Sequence, residues 1–420
     1  MKVSIQVLGS LGDVMPYIST ALVLKEQGVD VSILAPRDFS ALIASHGIAV
    51  AETADFSLDA WMEEAATRGT LGGPISFFRD WSEMIQPHIN DVMARCLSAA
   101  DKADVVIGNL ICAPARVAAE AEGIPFILTG QQPVLSPTRQ EPCAMMWRPW
   151  HGERLNRAGY LMINLANRVI GVTLSKHRKS LGLSNQPRFS DMRMHLGRPL
   201  PKISTIPWPI MRERPQDWGP HDFLTAYPSL RPSRPDALSP GLRRFLAAGS
   251  APVYIGLGSL GAAHGNHVLG EAIESVEQLG CRGLVAKSMV NDAARLSDRF
   301  YVVDHEPHDQ VFRHCSAVIH HGGAGTSDTA LRAGVPQILR PHFLDQFWFS
   351  DRLKQLGVAP GPLPVRGLAS RQVADAIEFA VSPACRKQAE MVQIDALARS
   401  GANDLAALIL SQLDRGVARR

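Results

Sequence analysis

The chain opens on an apolar run, KVSIQVLGS, which predicts a buried strand ending in a Gly-Ser-x-Gly-Asp turn. From Val14 to Gln27 the residues Ile18, Ala21 and Leu22 recur at helical spacing, and the pattern stops at Gly28. VDVSILA (Val29 to Ala35) predicts a second strand, and RDFSALIASHG a second helix closed by glycine. The alternation returns in ADVVIGN (Ala103 to Asn109), a helix through Glu122, and IPFILT. Strands alternating with helices predict a parallel sheet covered on its faces.

The pattern then breaks. Arg212 to Pro240 holds Pro215, Pro220, Pro228, Pro232, Pro235 and Pro240 with few long apolar runs, which predicts an extended connector and a domain boundary. Beyond it APVYIGLGSLG (Ala251 to Gly261) repeats the opening theme, a strand running into a Gly-Ser turn. A helix (Val268 to Leu279), strands at Gly283 to Lys287 and near Phe300 to Val303, and a final strand–loop–helix unit follow. The fold class is α/β: two facing Rossmann-like domains at 1–225 and 242–395, joined by a Pro-rich linker at 226–241. A last apolar period, Ala402 to Leu413, predicts a helix within 396–420, with packing back on the N-terminal domain left open. Ligands in such sheets bind beyond the carboxyl ends of the strands, so the shared site belongs in the cleft between the domains.

Length and composition fit this picture. A chain of 420 residues with 46% hydrophobic residues can fill two cores. Lys+Arg of 43 against Asp+Glu of 40 and no basic run beyond Arg419–Arg420 argue against nucleic-acid binding. The six cysteines are scattered without a CxxC pair, which reads as reduced thiols in a cytoplasmic protein. The apolar start VSIQVL is interrupted by Gly9, Ser10, Gly12 and Asp13 too early for a signal peptide. With no long uninterrupted apolar run, no membrane span is expected, while peripheral membrane contact stays open. Bulky apolar side chains gather in two zones, Trp61, Met62, Phe77, Phe78, Trp81 and Met84, then Met145, Met146, Trp147 and Trp150. They read as helix packing or as the lining of an apolar pocket.

Candidate chemistry concentrates in VIHHGGAGTSDTALRAGVPQILRPHFLDQ, Val318 to Gln346. Gly322, Gly323, Ala324 and Gly325 leave the backbone open to close approach, and a helix beginning there points free N–H groups and its positive dipole end at the loop. His320 and His321 precede the glycines, and Asp345–Gln346 follow. This composition suits a diphosphate carrying a polar group, as in a nucleotide sugar. No divalent-metal motif such as DxD stands out, so no metal cofactor is expected.

Taken together, GSLGDVMPY, GLGSLG at Gly256, HEPHDQVF at His305, HHGGAGTSDTALRAGVP…LDQ and PQDWGPHDFLTAY resemble the UDP-glycosyltransferases of the sterol and natural-product type, inverting enzymes of the GT-B fold. The resemblance covers most of the chain and is most specific at the C-terminal signature. It implies a nucleotide-sugar donor on the C-terminal domain and a hydrophobic acceptor on the N-terminal domain, among Phe77, Phe78, Trp81, Met84 and Trp147.

The resemblance also assigns roles. His321, Gly323, Gly325, Thr326 and Ser259 fall on donor diphosphate positions, and His320 on a position that supports the loop. Asp345 and Gln346 match the pair that takes the sugar hydroxyls. His305 and His308 match the nucleobase contacts, His305 replacing the usual large aromatic, and Thr329 replaces a ribose-binding glutamate of plant relatives. Asp13 lies where a general base would take the acceptor proton, and a helix N-cap is the plainer reading of the same residue. Two other functions fit the same signature: a nucleotide-sugar epimerase, which would need no acceptor, and a non-catalytic nucleotide-sugar-binding protein.

Overall fold

A computed structural model describes residues 1–52, 82–83, 86–146, 152–183, 192–234, 237–258, 261–290, 296–342, 345–365 and 367–417. The N-terminal sheet has seven strands: β1 (Lys2–Gln6), β2 (Asp30–Ala35), β3 (Ala49–Glu52), β4 (Val105–Asn109), β5 (Phe126–Gly130), β6 (Lys202–Ile206) and β7 (Asp222–Ala226). All pair in parallel in the order β3-β2-β1-β4-β5-β6-β7. The C-terminal sheet has five: β8 (Val253–Ile255), β9 (Gly283–Ala286), β10 (Phe300–Val303), β11 (Ala317–His320) and β12 (Gln337–Leu339), again parallel, in the order β10-β9-β8-β11-β12. Central strands such as β4 and β11 are buried along their whole length, because helices cover both faces and every side chain must be apolar or paired.

In each sheet the winding reverses beside the first strand, between β1 and β4 and between β8 and β11. Loops leaving neighbouring strands at such a switch point diverge and open a crevice. The loop after β1 leads into α1 (Leu11–Glu26), and the loop after β11 leads into α6 (Ala324–Ala333). Intervening helices are α2 (Ile89–Ala100), α3 (Ala113–Ala121), α4 (Glu153–Ser180) and α5 (Gly261–Gln278). Then come α7 (Gln346–Gln355), α8 (Ser370–Val381), α9 (Pro383–Leu397) and α10 (Gly401–Val417).

Two details depart from the sequence reading. Helix α1 starts at Leu11 rather than Val14, because Ser10 adopts an extended N-cap conformation. The proline-rich stretch from Arg212 is not wholly a connector. Between Pro220 and Pro228 it supplies β7, the edge strand of the first sheet, where prolines flanking the strand cost no ladder hydrogen bonds.

The domains meet over a broad surface. Trp348 and Phe349 of α7 are fully buried in the same apolar cluster as Leu8, Val106 and Leu128 of the N-terminal domain. Glu141 pairs with Arg352 at 2.5 Å across the junction. Helix α10 returns to the first domain, setting Leu405, Ala406, Ile409 and Leu413 against Val14, Ile18 and Ala21 of α1. No helix among the described residues is long and apolar enough to cross a membrane.

Candidate active site

The first half of the site forms at the end of β1. Ser10 caps α1, and Asp13 is the third residue of that helix. Its Oδ2 accepts from the Ser10 backbone N–H at 2.8 Å and from the Ser10 hydroxyl at 3.0 Å, so the carboxylate folds back over the turn. Gly9 makes room for it: a Cβ there would lie 2.4 Å from Asp13 Oδ2, and the backbone at φ +138° already favours glycine. Asp13 is therefore a capping-box residue and not the N-cap itself. Burial raises its pKa above 3.8, while the two Ser10 bonds oppose that rise.

The second half forms at the end of β11. His320 is fully buried; its Nε2 bonds Gln337 Oε1 at 2.9 Å and its Nδ1 accepts from Gly322 N–H at 3.1 Å. Burial pushes it down to about 3, so it is a neutral post that fixes the loop. His321 stands in the loop itself. Its ring is clasped between two glycines: a Cβ on Gly258 would come within 2.9 Å of Cε1, and one on Gly323 within 2.6 Å of Nε2. Its Nδ1 is buried without a protein partner, and burial beside His308 lowers its pKa to about 4. A neutral imidazole with an unspent ring nitrogen thus stands beside the start of α6, whose N-cap Gly323 offers no capping side chain. That helix end can receive an anion.

Tyr227 stands between the two halves. It leaves the end of β7 and is buried, its hydroxyl 3.5 Å from the Gly12 carbonyl. Pro16 lacks the N–H that would otherwise close the helix onto Gly12, which frees that carbonyl. On its other side the hydroxyl sits where a Cβ on Gly325 would come within 2.9 Å. The N-terminal turns of α1 and α6 are thus separated by little more than one phenol oxygen.

Asp345 is the N-cap of α7 and Gln346 its first residue. Gln132, just past β5, donates to Asp345 Oδ2 at 2.9 Å across the domains, and Gln346 Oε1 accepts from His342 N–H at 2.8 Å. Burial raises Asp345 to about 6 despite the Gln132 bond, and the nearby charge of Asp13 adds to the rise. Further out, His308 stacks on Phe312 at 4.9 Å and 13°, and its Nε2 meets the Tyr254 hydroxyl at 2.9 Å. Its residue surface remains exposed, and desolvation on the inner side lowers its pKa. His305 stands fully in solvent in a left-handed conformation at φ 53°, 3.4 Å from Asp304. Thr326 lies in the first turn of α6, and Thr329 spends its hydroxyl on the Gly325 carbonyl at 2.8 Å.

The structure thus brings Asp13, His321, Gly323, Gly325, Asp345 and Gln346 to the junction between the two domains, with Thr326 in the first turn of α6 and His308 near His321. Ser259 and the acceptor candidates Phe77, Phe78, Trp81, Met84 and Trp147 lie outside the described residues. Gln132 and Tyr227 carry no assigned role in the sequence; Tyr227 directly follows β7 and Gln132 lies two residues beyond β5, the strand ends where polar side chains reach a ligand site. Among the described residues, no group of three His, Cys, Asp or Glu side chains is placed to hold a metal ion.

Known proteins share this fold. Residues 3–135 match the glycosyltransferase family 28 N-terminal domain, and residues 282–411 match the erythromycin biosynthesis protein CIII-like C-terminal domain. A sterol 3-beta-glucosyltransferase of Arabidopsis thaliana is 26% identical over 92% of this chain, which spans 64% of that relative's length. The vancomycin aglycone glucosyltransferase of Amycolatopsis orientalis is 28% identical over 90% of both chains. Among solved structures, the glycosyltransferase VinC in complex with dTDP superposes with a TM-score of 0.70 at 20% identity, covering 99% of this chain and 100% of that one. SnogD from Streptomyces nogalater gives 0.68, also at 20% identity, over 98% and 99%. With both domains matched in order and the two switch-point loops facing each other, this chain belongs to the UDP-glycosyltransferase family and has the GT-B fold.

Proposed function

We propose that this protein moves a hexose from a UDP- or dTDP-sugar to a hydroxyl of a lipophilic small molecule, with inversion at the anomeric carbon. The single observation that supports the reading is the closeness of the two loops: Tyr227 stands between the Gly12 carbonyl and Gly325, and Gln132 bonds Asp345 across the domains, so that Asp13 and the His321 loop lie near one another. The relatives named above supply the substrate classes, sterols and the vancomycin aglycone, as precedent.

In the proposed reaction the acceptor oxygen attacks the anomeric carbon as its proton passes to Asp13. The bond from that carbon to the diphosphate breaks, and its electron pair leaves with the diphosphate. A carboxylate with a raised pKa is a stronger base than an ordinary aspartate, which suits Asp13 to the task. The leaving charge is met by the first turn of α6 and by one N–H of neutral His321, which at a pKa of about 4 acts as a hydrogen-bond donor and not as a cation. Asp345 and Gln346 hold the sugar hydroxyls, and His305 and His308 border the base. No divalent cation is required in this scheme.

The test is a mass-spectrometric screen of purified protein with UDP-glucose and dTDP-sugars against sterols, phenols and polyketide alcohols. A glycoside product that disappears in Asp13→Asn, with donor binding retained by calorimetry, supports the reading. Full turnover in Asp13→Asn overturns the base assignment, and donor conversion without any acceptor product points to an epimerase instead.

A further inference from the structure

Helix α4 carries a feature that the catalytic reading does not use. Its inner face is anchored: Tyr160, Ile163, Ile170 and Leu174 are in the first domain's core, and Arg178 pairs inward with Glu120. The helix therefore cannot roll, and its outer face is fixed toward solvent. On that face Leu161, Leu165, Val169 and Val172 expose 65%, 46%, 40% and 73% of their surface. Their spacing of four, four and three residues aligns them in one stripe three turns long. Exposed basic residues frame it, with Arg154 before the stripe, Arg168 within it, and Lys176 and Lys179 after it. Arg157 also lies on this side and helps hold Asp217 ionised. Glu153 is the one acidic residue in the 28-residue helix.

We propose that this face of α4 docks on an anionic lipid surface. An apolar stripe between basic ends, on a helix with almost no acid, is the pattern of an interfacial helix: the aliphatic side chains enter the headgroup–acyl boundary and the cations pair with lipid phosphates. A second copy of the chain is a poorer occupant. It would bring the same cations against one another, and four partly exposed aliphatic side chains fall well short of the roughly 800 Å² per partner of a stable dimer. The opposite face of α4 puts Asn167 and Ile170 on a small pocket with Asn109, Cys112 and Phe126, near the carboxyl end of β4. Asn167 Nδ2 is buried there without a partner. One helix thus links a lipid-facing surface to the interior of the first domain. That link to catalysis rests on the lipophilic-acceptor reading above, whereas the docking itself rests on the helix alone.

Flotation of the purified protein with vesicles of equimolar phosphatidylglycerol and phosphatidylcholine, and with phosphatidylcholine alone, tests it. The protein is expected to float with the anionic vesicles, to remain behind with the neutral ones, and to be released by salt. L161E/V172E should abolish flotation. K176A/K179A should weaken partition about 25-fold, since each basic residue at an anionic surface is worth about a factor of five. Circular dichroism checks that both variants keep their helix content. Transfer to a water-soluble phenol should be unchanged in L161E/V172E, so loss of flotation and loss of catalysis are read separately. If the wild type also turns over no acceptor, flotation still decides the docking. The proposal is overturned if the wild type ignores anionic vesicles, or if light scattering shows a dimer that L161E/V172E converts to monomers.

Discussion

Asp345 is a carboxylate that the fold holds at a cost, and replacing it should separate stability from function. Its pKa rises from the ordinary 3.8 to about 6, first because it is buried and then because Asp13 lies near, the Gln132 bond offsetting only part. The folded form therefore binds this proton more tightly than the unfolded chain does. The resulting stability is fully present below 3.8 and is lost as pH rises to about 6. At about 1.4 kcal/mol per pH unit the loss approaches 3 kcal/mol, and residual solvent access brings the expected value to about 1–3 kcal/mol. Asp345→Asn keeps an acceptor for Gln132 and a residue suited to begin α7, but carries no charge. In urea denaturation at pH 8 the variant should be more stable than the parent by that amount, with the gain shrinking to nothing near pH 4. Its turnover should fall because the sugar loses a charged acceptor. A variant no more stable than the parent at pH 8, or a gain independent of pH, would refute the account of Asp345.

Other expectations follow from single contacts. Asp13→Asn should lower kcat by roughly 10²–10⁴-fold, the usual worth of a general base, with little change in donor affinity by calorimetry. Gly9→Ala should lose about 1–3 kcal/mol in thermal or urea unfolding and most turnover, because its methyl would occupy the place of the Asp13 carboxylate. His320→Ala should cost about 2–5 kcal/mol in the same assay, leaving Gln337 and the Gly322 N–H unpaired around a cavity. Treatment with EDTA should leave turnover intact in the proposed scheme, and a requirement for added magnesium would contradict it.

The strands were the most legible part of the chain. β5 and β9 are short, mostly apolar runs buried along all or nearly all of their length, where burial on both faces favours such a composition, and β2 and β10 are apolar enough to read as strands although part of each is less buried. The two Gly-rich turns were legible for the same reason, since their residues are local. Helix α4 was not read, and its exposed side carries apolar residues as well as its buried side. The edge strand β7 hid among prolines because its register is set by β6 and not by its own sequence. What no local pattern could supply was pairing across the cleft. Gln132 is 213 residues from Asp345, and Tyr227 is 215 from Gly12.

Those distant pairings change what the glycines mean. From sequence, Gly323 and Gly325 read as backbone cleared for a phosphate. In the folded chain Gly323 and Gly258 make room for the His321 ring, and Gly325 for the Tyr227 hydroxyl. The two explanations make different predictions. If Gly325 is small only for the donor, Gly325→Ala should weaken donor binding equally whatever stands at position 227. If it is small for Tyr227, the added methyl displaces that side chain and with it the spacing of α1 and α6. Gly325→Ala should then cost about 1–3 kcal/mol in unfolding, and Tyr227→Phe, which removes the oxygen 2.9 Å from the new methyl, should recover a large part of it. A double-mutant cycle read by both urea unfolding and donor calorimetry decides between them: coupling near zero leaves the donor as the reason for glycine, and strong coupling makes Tyr227 the spacer that sets the width of the site.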